Sequence, residues 1–102
     1  MDDKTDRISC RTPTPGKQPT SIPRWKFELL REHILALVPE QPPGIKAADL
    51  PGLVRDRLSA ADLETLGSVN WHVTTVKLEL EVCGEIQRVD AVAPQHLIQC
   101  RI

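Results

Sequence analysis

Tyrosine is absent from this chain of 102 residues, and one Phe and two Trp bring the aromatic content to only 3%. Aromatic rings cannot dominate the interior, which has to be assembled from Leu, Val, Ile and Ala. Cysteine is scarce and poorly spaced for chemistry. Cys10, Cys83 and Cys100 are odd in number and hold no C-x-x-C pair, which argues against a disulfide framework or a zinc knuckle and points to a reducing compartment. No window approaches the roughly 18 apolar residues of a membrane span, and the polar start Met1-Asp2-Asp3-Lys4 is unlike a secretory leader. A soluble, cytoplasmic protein without a membrane partner is expected. Charge of one sign is missing too: 13 Lys and Arg against 14 Asp and Glu leave a formal net charge of -1, so whole-chain electrostatics announce neither nucleic acid nor membrane. The five glycines form no phosphate loop and His33, His72 and His96 are isolated, which argues against a nucleotide or metal cofactor.

What remains is an ordinary globular composition, 40% hydrophobic and 26% charged, in a length that suits one small domain. Proline is unevenly distributed. Pro13, Pro15 and Pro19 fall with Gly16 and several Thr and Ser in the first twenty residues, where Met1, Ile8 and Cys10 are the only apolar side chains. Such a segment buries too little surface to offset its ordering entropy. Residues 1–21 are therefore expected to form a disordered arm ahead of a folded domain at 22–102. Between positions 7 and 31, six cations (Arg7, Arg11, Lys17, Arg24, Lys26, Arg31) face only Glu28, a local balance of +5.

Ser21 can cap a first helix that carries Pro23 in its first turn and runs to Val38. Phe27, Leu30, Ile34 and Leu37 recur at helical spacing as its buried stripe, with Trp25 and Leu29 in a second row suited to a core edge or a dimer contact. Pro39 ends the helix, Pro42-Pro43-Gly44 makes a stiff connection, and Ile45-Lys46 reads as a short extended pair. A second helix from about Ala48 turns Leu50, Val54 and Leu58 inward, with Pro51 tolerated only in its first turn. Ser59 to Asp62 resembles a capping box with Asp in place of Glu, and a brief helical turn follows through Leu66 until Gly67 breaks it. Gly67 to Gly84 holds one more complete helix: Ser68 caps it, Val69, Val73, Val76, Leu80 and Cys83 form its inner row, and Gly84 suits a left-handed C-terminal cap. Residues 85–90 and 95–102 read as two extended stretches joined by Ala91-Val92-Ala93-Pro94. This hairpin has an open register, because Leu97 and Ile98 cannot both point inward.

The order helix, short strand, helix, helix, hairpin is mainly α with a small β-hairpin. Leu80-Glu81-Val82-Cys83-Gly84-Glu85-Ile86 resembles the Leu-x-x-x-Gly-x-Ile junction by which winged helix-turn-helix proteins pass from recognition helix to wing. The run from Trp71 to Glu81, with Gly84 and Pro94-Gln95 after it, is similar to an uncharacterised bacterial family of unknown function. That resemblance covers about residues 24 to 99. It implies a winged helix-turn-helix fold and brings no reaction or ligand.

Removing the inner row of the last helix leaves Asn70, Trp71, Thr74, Thr75, Lys77 and Leu78 on outer faces, with Glu79 and Glu81 farther along. Asn and Thr can read base edges, and Trp71 or Leu78 can meet a thymine methyl, although the same residues also suit solvated or packed helix positions. Charge opposes DNA: from Ser68 onward Lys77, Arg88 and Arg101 stand against Glu79, Glu81, Glu85 and Asp90, a balance of -1, and the expected wing tip has no cation. A DNA-binding transcription regulator would set Asn70, Trp71, Thr74, Thr75 and Lys77 against the major groove of double-stranded DNA, with the arm, Lys46, Arg55, Arg57 and Arg88 on phosphates. A homodimerising or protein-binding module would use Trp25, Leu29, Trp71 and Leu78 as anchors instead. Ser68 and His72 stand at i and i+4 without a third group to orient the imidazole, so no enzymatic activity is expected.

Overall fold

The computed structural model describes residues 6–89 and 94–100. Residues 91–93 of the expected hairpin connection lie outside them, as do 1–5, 90, 101 and 102. The described chain is mixed α/β and mainly helical, with four α-helices and two small antiparallel sheets. β1 (Arg7–Cys10) pairs with β2 (Thr20–Pro23), and β2 runs directly into α1 (Arg24–Leu37). Next come β3 (Ile45–Lys46), one 3-10 turn at Ala47–Asp49, α2 (Leu50–Arg57), α3 (Ala60–Leu66), α4 (Val69–Cys83), β4 (Ile86–Arg88) and β5 (His96–Gln99). The second sheet has the order β3-β5-β4, so its last strand lies in the middle.

Local chemistry explains most helix ends. The hydroxyl of Ser59 accepts from the Asp62 amide at 3.1 Å, and that of Ser68 from the Trp71 amide at 3.2 Å, each satisfying a donor that a helix start leaves orphaned. Pro51 falls in the first turn of α2, where its missing N–H costs nothing. Gly84, at φ 82° and ψ 15°, closes α4 in the left-handed region. The start of α1 differs from expectation. Ser21 lies inside β2, where its hydroxyl accepts from Arg7 Nε at 2.8 Å, and Pro23 takes the cap position without a side-chain bond. A strand that feeds straight into a helix leaves no side chain positioned to fold back, and the Asp6 carbonyl accepts from the Arg24 amide instead, at 2.9 Å.

The helices share one core. Phe27, Leu30 and Ile34 of α1 meet Leu50 and Val54 of α2, Leu58 beyond it, and Val69, Val73, Val76 and Leu80 of α4. Two substitutions of role stand out: Val38, not Leu37, supplies the last buried position after Ile34, and Glu79 is buried where the exposed Cys83 was expected to be. In the sheet, Leu97 is fully buried and pairs with both Ile45 and Arg88, while Ile98 is half-exposed, which fixes the register left open by the sequence.

Within the segment 1–21 expected as a disordered arm, β1 and the first half of β2 are ordered strands. The two strands pair in register from Arg7 opposite Pro23 to Cys10 opposite Thr20, burying Cys10 and Ile22 and packing Ile8 against the core. Three apolar residues are too few to fold alone, but strand alternation puts Ile8 and Cys10 on one face, and the helices supply the rest of the hydrophobic surface.

Gly44 shows how closely β3 approaches β5. Its φ is +78°, and a Cβ there would stand 2.0 Å from the Leu97 carbonyl oxygen, whereas Gly16, at φ +83°, faces open space. Gly44→Ala should therefore cost about 3 kcal/mol by combined strain and displacement of β5, against about 1 kcal/mol for Gly16→Ala. Urea denaturation of both variants checks the difference, and equal losses would show that β3 is not held against β5.

Candidate nucleic-acid interface

α4 is the frame of the candidate surface. Successive residues turn by about 100° around a helix, so Trp71, Leu78 and Val82 align as one row opposite the buried valines. Asn70, Trp71 and Thr74 are exposed; Trp71 keeps 48% and Val82 36% of its surface accessible. Side-chain bonds tie α4 to the β1–β2 hairpin on one side and to the β4–β5 sheet on the other.

On the hairpin side, Glu79 accepts from the Arg11 backbone amide at 2.6 Å, from Arg11 Nε at 3.1 Å and from Arg11 Nη2 at 2.6 Å. Cys83 Sγ donates to the same carboxylate at 2.9 Å. The residue is only 4% exposed. Burial alone would push its carboxyl pKa up, but the hydrogen bonds from Arg11 and Cys83, with the Arg11 charge, outweigh burial and hold it down to about 2. The partners move in response. The bond to Glu79, helped by its charge, raises the Arg11 guanidinium pKa. Burial, then the Glu79 charge, pushes the Cys10 thiol up to about 11, and the bond to Glu79 followed by burial raises that of Cys83. Both surroundings favour the protonated thiol.

On the sheet side, Arg88 Nε donates to Glu81 Oε1 at 2.7 Å, and Lys77 Nζ stands 3.1 Å from Glu81 Oε2 as an ion pair without hydrogen-bond geometry. Lys77 Nζ also donates to Gln95 Oε1 at 3.1 Å. Arg31 of α1 grips Glu85 through both Nε and Nη2, and this contact raises the Arg31 pKa. Three carboxylates counted against phosphate binding, Glu79, Glu81 and Glu85, are thus neutralised by four cations, two of which come from the N-terminal half. Glu79 and Glu81 are not on the outer face at all.

The expected site residues separate into groups. Asn70, Trp71 and Thr74 share the open face of α4. Thr75 is half-buried and its hydroxyl donates to the Trp71 carbonyl at 2.9 Å. Lys77 and Arg88 are brought together by Glu81. Lys46 is exposed on β3 opposite His96, while Arg55 and Arg57 are exposed on α2, and Arg57 Nε is turned to His33 Nδ1 at 3.1 Å. Ser68 and His72 do not form a nucleophile and base pair: the Ser68 hydroxyl caps α4, and His72 Nδ1 lies 2.7 Å from the Ser68 carbonyl oxygen. Burial lowers the His72 pKa, against the pull of that carbonyl and with the help of the Lys26 charge. The sequence marked Arg11 and Lys17 only as cations of the arm, and it did not reveal that Arg11 is held by Glu79. The available signal was the position of Glu79, three residues after Val76 and four before Cys83, at the margin of the inner row.

A family model matches residues 7–97. The chain belongs to DUF6958, a family of unknown function. No curated protein and no solved structure matches it. The DUF6958 match opens at Arg7, the first residue of β1, and closes at Leu97, the buried residue of β5, so the β1–β2 hairpin falls within the family's span. Among the described residues, no helix is long and apolar enough to cross a membrane.

Removing Arg11 leaves a buried carboxylate without its cation, so Arg11→Ala should cost about 3 kcal/mol. Glu79→Gln should cost less, about 1 kcal/mol, because the half-exposed Arg11 can turn to water. Urea melts of the two variants compare them. The folded chain keeps Glu79 charged down to about pH 2, whereas an unperturbed carboxyl titrates near 4.5. Its contribution is therefore complete above pH 4.5 and is lost as pH falls from there toward 2. Stability followed by circular dichroism should decline through that window, and Glu79→Gln should flatten the decline; an unchanged slope would mean that Glu79 is not a linked group.

Proposed function

We propose that this chain is a winged helix-turn-helix module that binds double-stranded DNA through the outer face of α4, acting as a bacterial, cytoplasmic transcription regulator without enzymatic activity. The observation that carries the reading is the open face of α4 itself. Asn70, Trp71 and Thr74 stand exposed on a helix whose own two carboxylates, Glu79 and Glu81, are both paired with cations. The fold reading is supported by the succession α1, β3, α2, α4, β4 and β5, with β3 pairing on β5 and the short α3 added before α4. In it, β4 and β5 form the wing.

Roles follow from position. Asn70 and Thr74 have the donors and acceptors to address base edges, and Trp71 adds apolar contact with thymine methyls. Arg88, with half its side chain accessible beside Glu81, and the exposed Lys46, Arg55 and Arg57 would meet phosphates. A mobility-shift titration at rising salt tests this. Binding to long genomic fragments is expected at low salt, and Arg88→Gln should weaken it uniformly while lowering the salt slope by about 1. Asn70→Ala should instead relax sequence preference by about tenfold. Absence of any shift at low salt would sink the proposal.

One observation favours a second function: Trp71, Leu78 and Val82 form an apolar row on the same helix face, as a homodimer or protein contact would need. Light scattering distinguishes the two, since a concentration-dependent dimer that Trp71→Ala dissociates would support the protein contact.

A further inference from the structure

A cleft of about 300 Å³ lies between the β1–β2 connection and α4. Its lining is cationic and hydroxylic: Arg11 and Lys17, with Thr12, Thr14 and Thr20 from the hairpin and Thr75 from α4, while Leu78 supplies an apolar patch. No Asp or Glu lines it. We propose that this cleft binds a small phosphate-bearing molecule, seated between Arg11 and Lys17 with its carbon skeleton against Leu78.

Arg11 is prepared for this before any ligand arrives. Its Nε and Nη2 are held by Glu79, and Nη2 also reaches Cys83 Sγ at 3.4 Å, so the guanidinium plane is fixed while the side chain stays 56% exposed. Its Nη1 has no bond among those the described residues make. A guanidinium with immobilised torsions presents its remaining donors at little further entropic cost, and its planar fork matches phosphate oxygens. Because Glu79 already balances the charge of Arg11, the net positive charge of the cleft comes from Lys17. The volume is at the small end of ligand sites, enough for a phosphate and a few carbon atoms and too small for a dinucleotide.

The cleft is also placed to affect α4. Leu78, half-buried, belongs to both the lining and the row that it forms with the exposed Trp71, and the Thr75 hydroxyl donates to the Trp71 carbonyl. Occupancy would therefore be felt on the helix face assigned above to a macromolecular partner. The site itself rests on the cleft and does not require that the chain bind DNA.

The test is a titration of the uniformly 15N-labelled full chain with inorganic phosphate and with ribose 5-phosphate, at constant ionic strength with chloride as control. Saturable amide shifts are expected at Thr12, Thr14, Lys17, Thr75 and Leu78, stronger binding for the sugar phosphate, and about a fivefold loss of affinity in Lys17→Gln and in Thr14→Val. Neither variant touches the Arg11–Glu79 pair, so both keep the hairpin docked. Shifts that fail to saturate, that are equal at Lys46 and Arg55, or that persist unchanged in Lys17→Gln would overturn the proposal. Cleft shifts produced by a short DNA duplex while both phosphate probes stay silent would also overturn it and assign the seat to a backbone phosphate. Phosphate shifts with no DNA binding leave this site standing and remove the regulator.

Discussion

The carboxylate of Glu79 sits inside α4 next to the apolar row, and its burial is tolerable only because Arg11 brings a backbone amide and two guanidinium nitrogens to it. An ion taken out of water costs several kcal/mol unless such partners are supplied. That requirement positions the N-terminal hairpin. Arg11 follows β1 directly, so docking its guanidinium also seats Cys10 and Ile22 in the core and brings the 11–20 connection alongside α4. The cleft proposed above as an anion seat is a by-product of the same contact.

The acidic residues of the second half act as ties rather than as a repulsive surface. Glu79 reaches the hairpin, Glu81 the β4 strand, and Glu85 helix α1. Each joins α4 or its end to a different element. The Arg31–Glu85 pair is partly exposed on both sides and contributes little stability of its own, whereas the Glu81 carboxylate is buried and depends on Lys77 and Arg88 for its partners. Summing charge along the sequence therefore gave a misleading picture of α4, since pairing across the fold removes the carboxylates that the sum places there.

How much was legible depended on how local the determining interaction is. The caps at Ser59 and Ser68, the first-turn Pro51 and the left-handed Gly84 were all readable, because each is decided within four residues of chain. The helix, strand, helix, helix, hairpin order followed from them. The β1–β2 pairing was not readable, because its stability comes from a core built by residues far downstream and its own apolar content is low. Glu79 was assigned to solvent for the same reason: a helical period reports which positions share a face, and nothing in it reveals an arginine 68 residues away. Among the site residues, the exposure of Asn70, Trp71 and Thr74 was anticipated from that period. The spending of Lys77 and Arg88 on Glu81 was not, since it requires β4 to lie beside α4.

The placement of β5 has a consequence for the chain as it is made. Ile45 has no strand partner until Leu97 exists, and the central place in the sheet goes to the latest of its three described strands. Arg11 likewise waits for Glu79. The helices can form as they emerge from the ribosome, each on its own local signals, but the hairpin stays unanchored until α4 has been made, and the sheet cannot close until β5 has emerged. Until those partners have been made, Ile22, Cys10 and the β3 edge are exposed to chaperones or to other nascent chains.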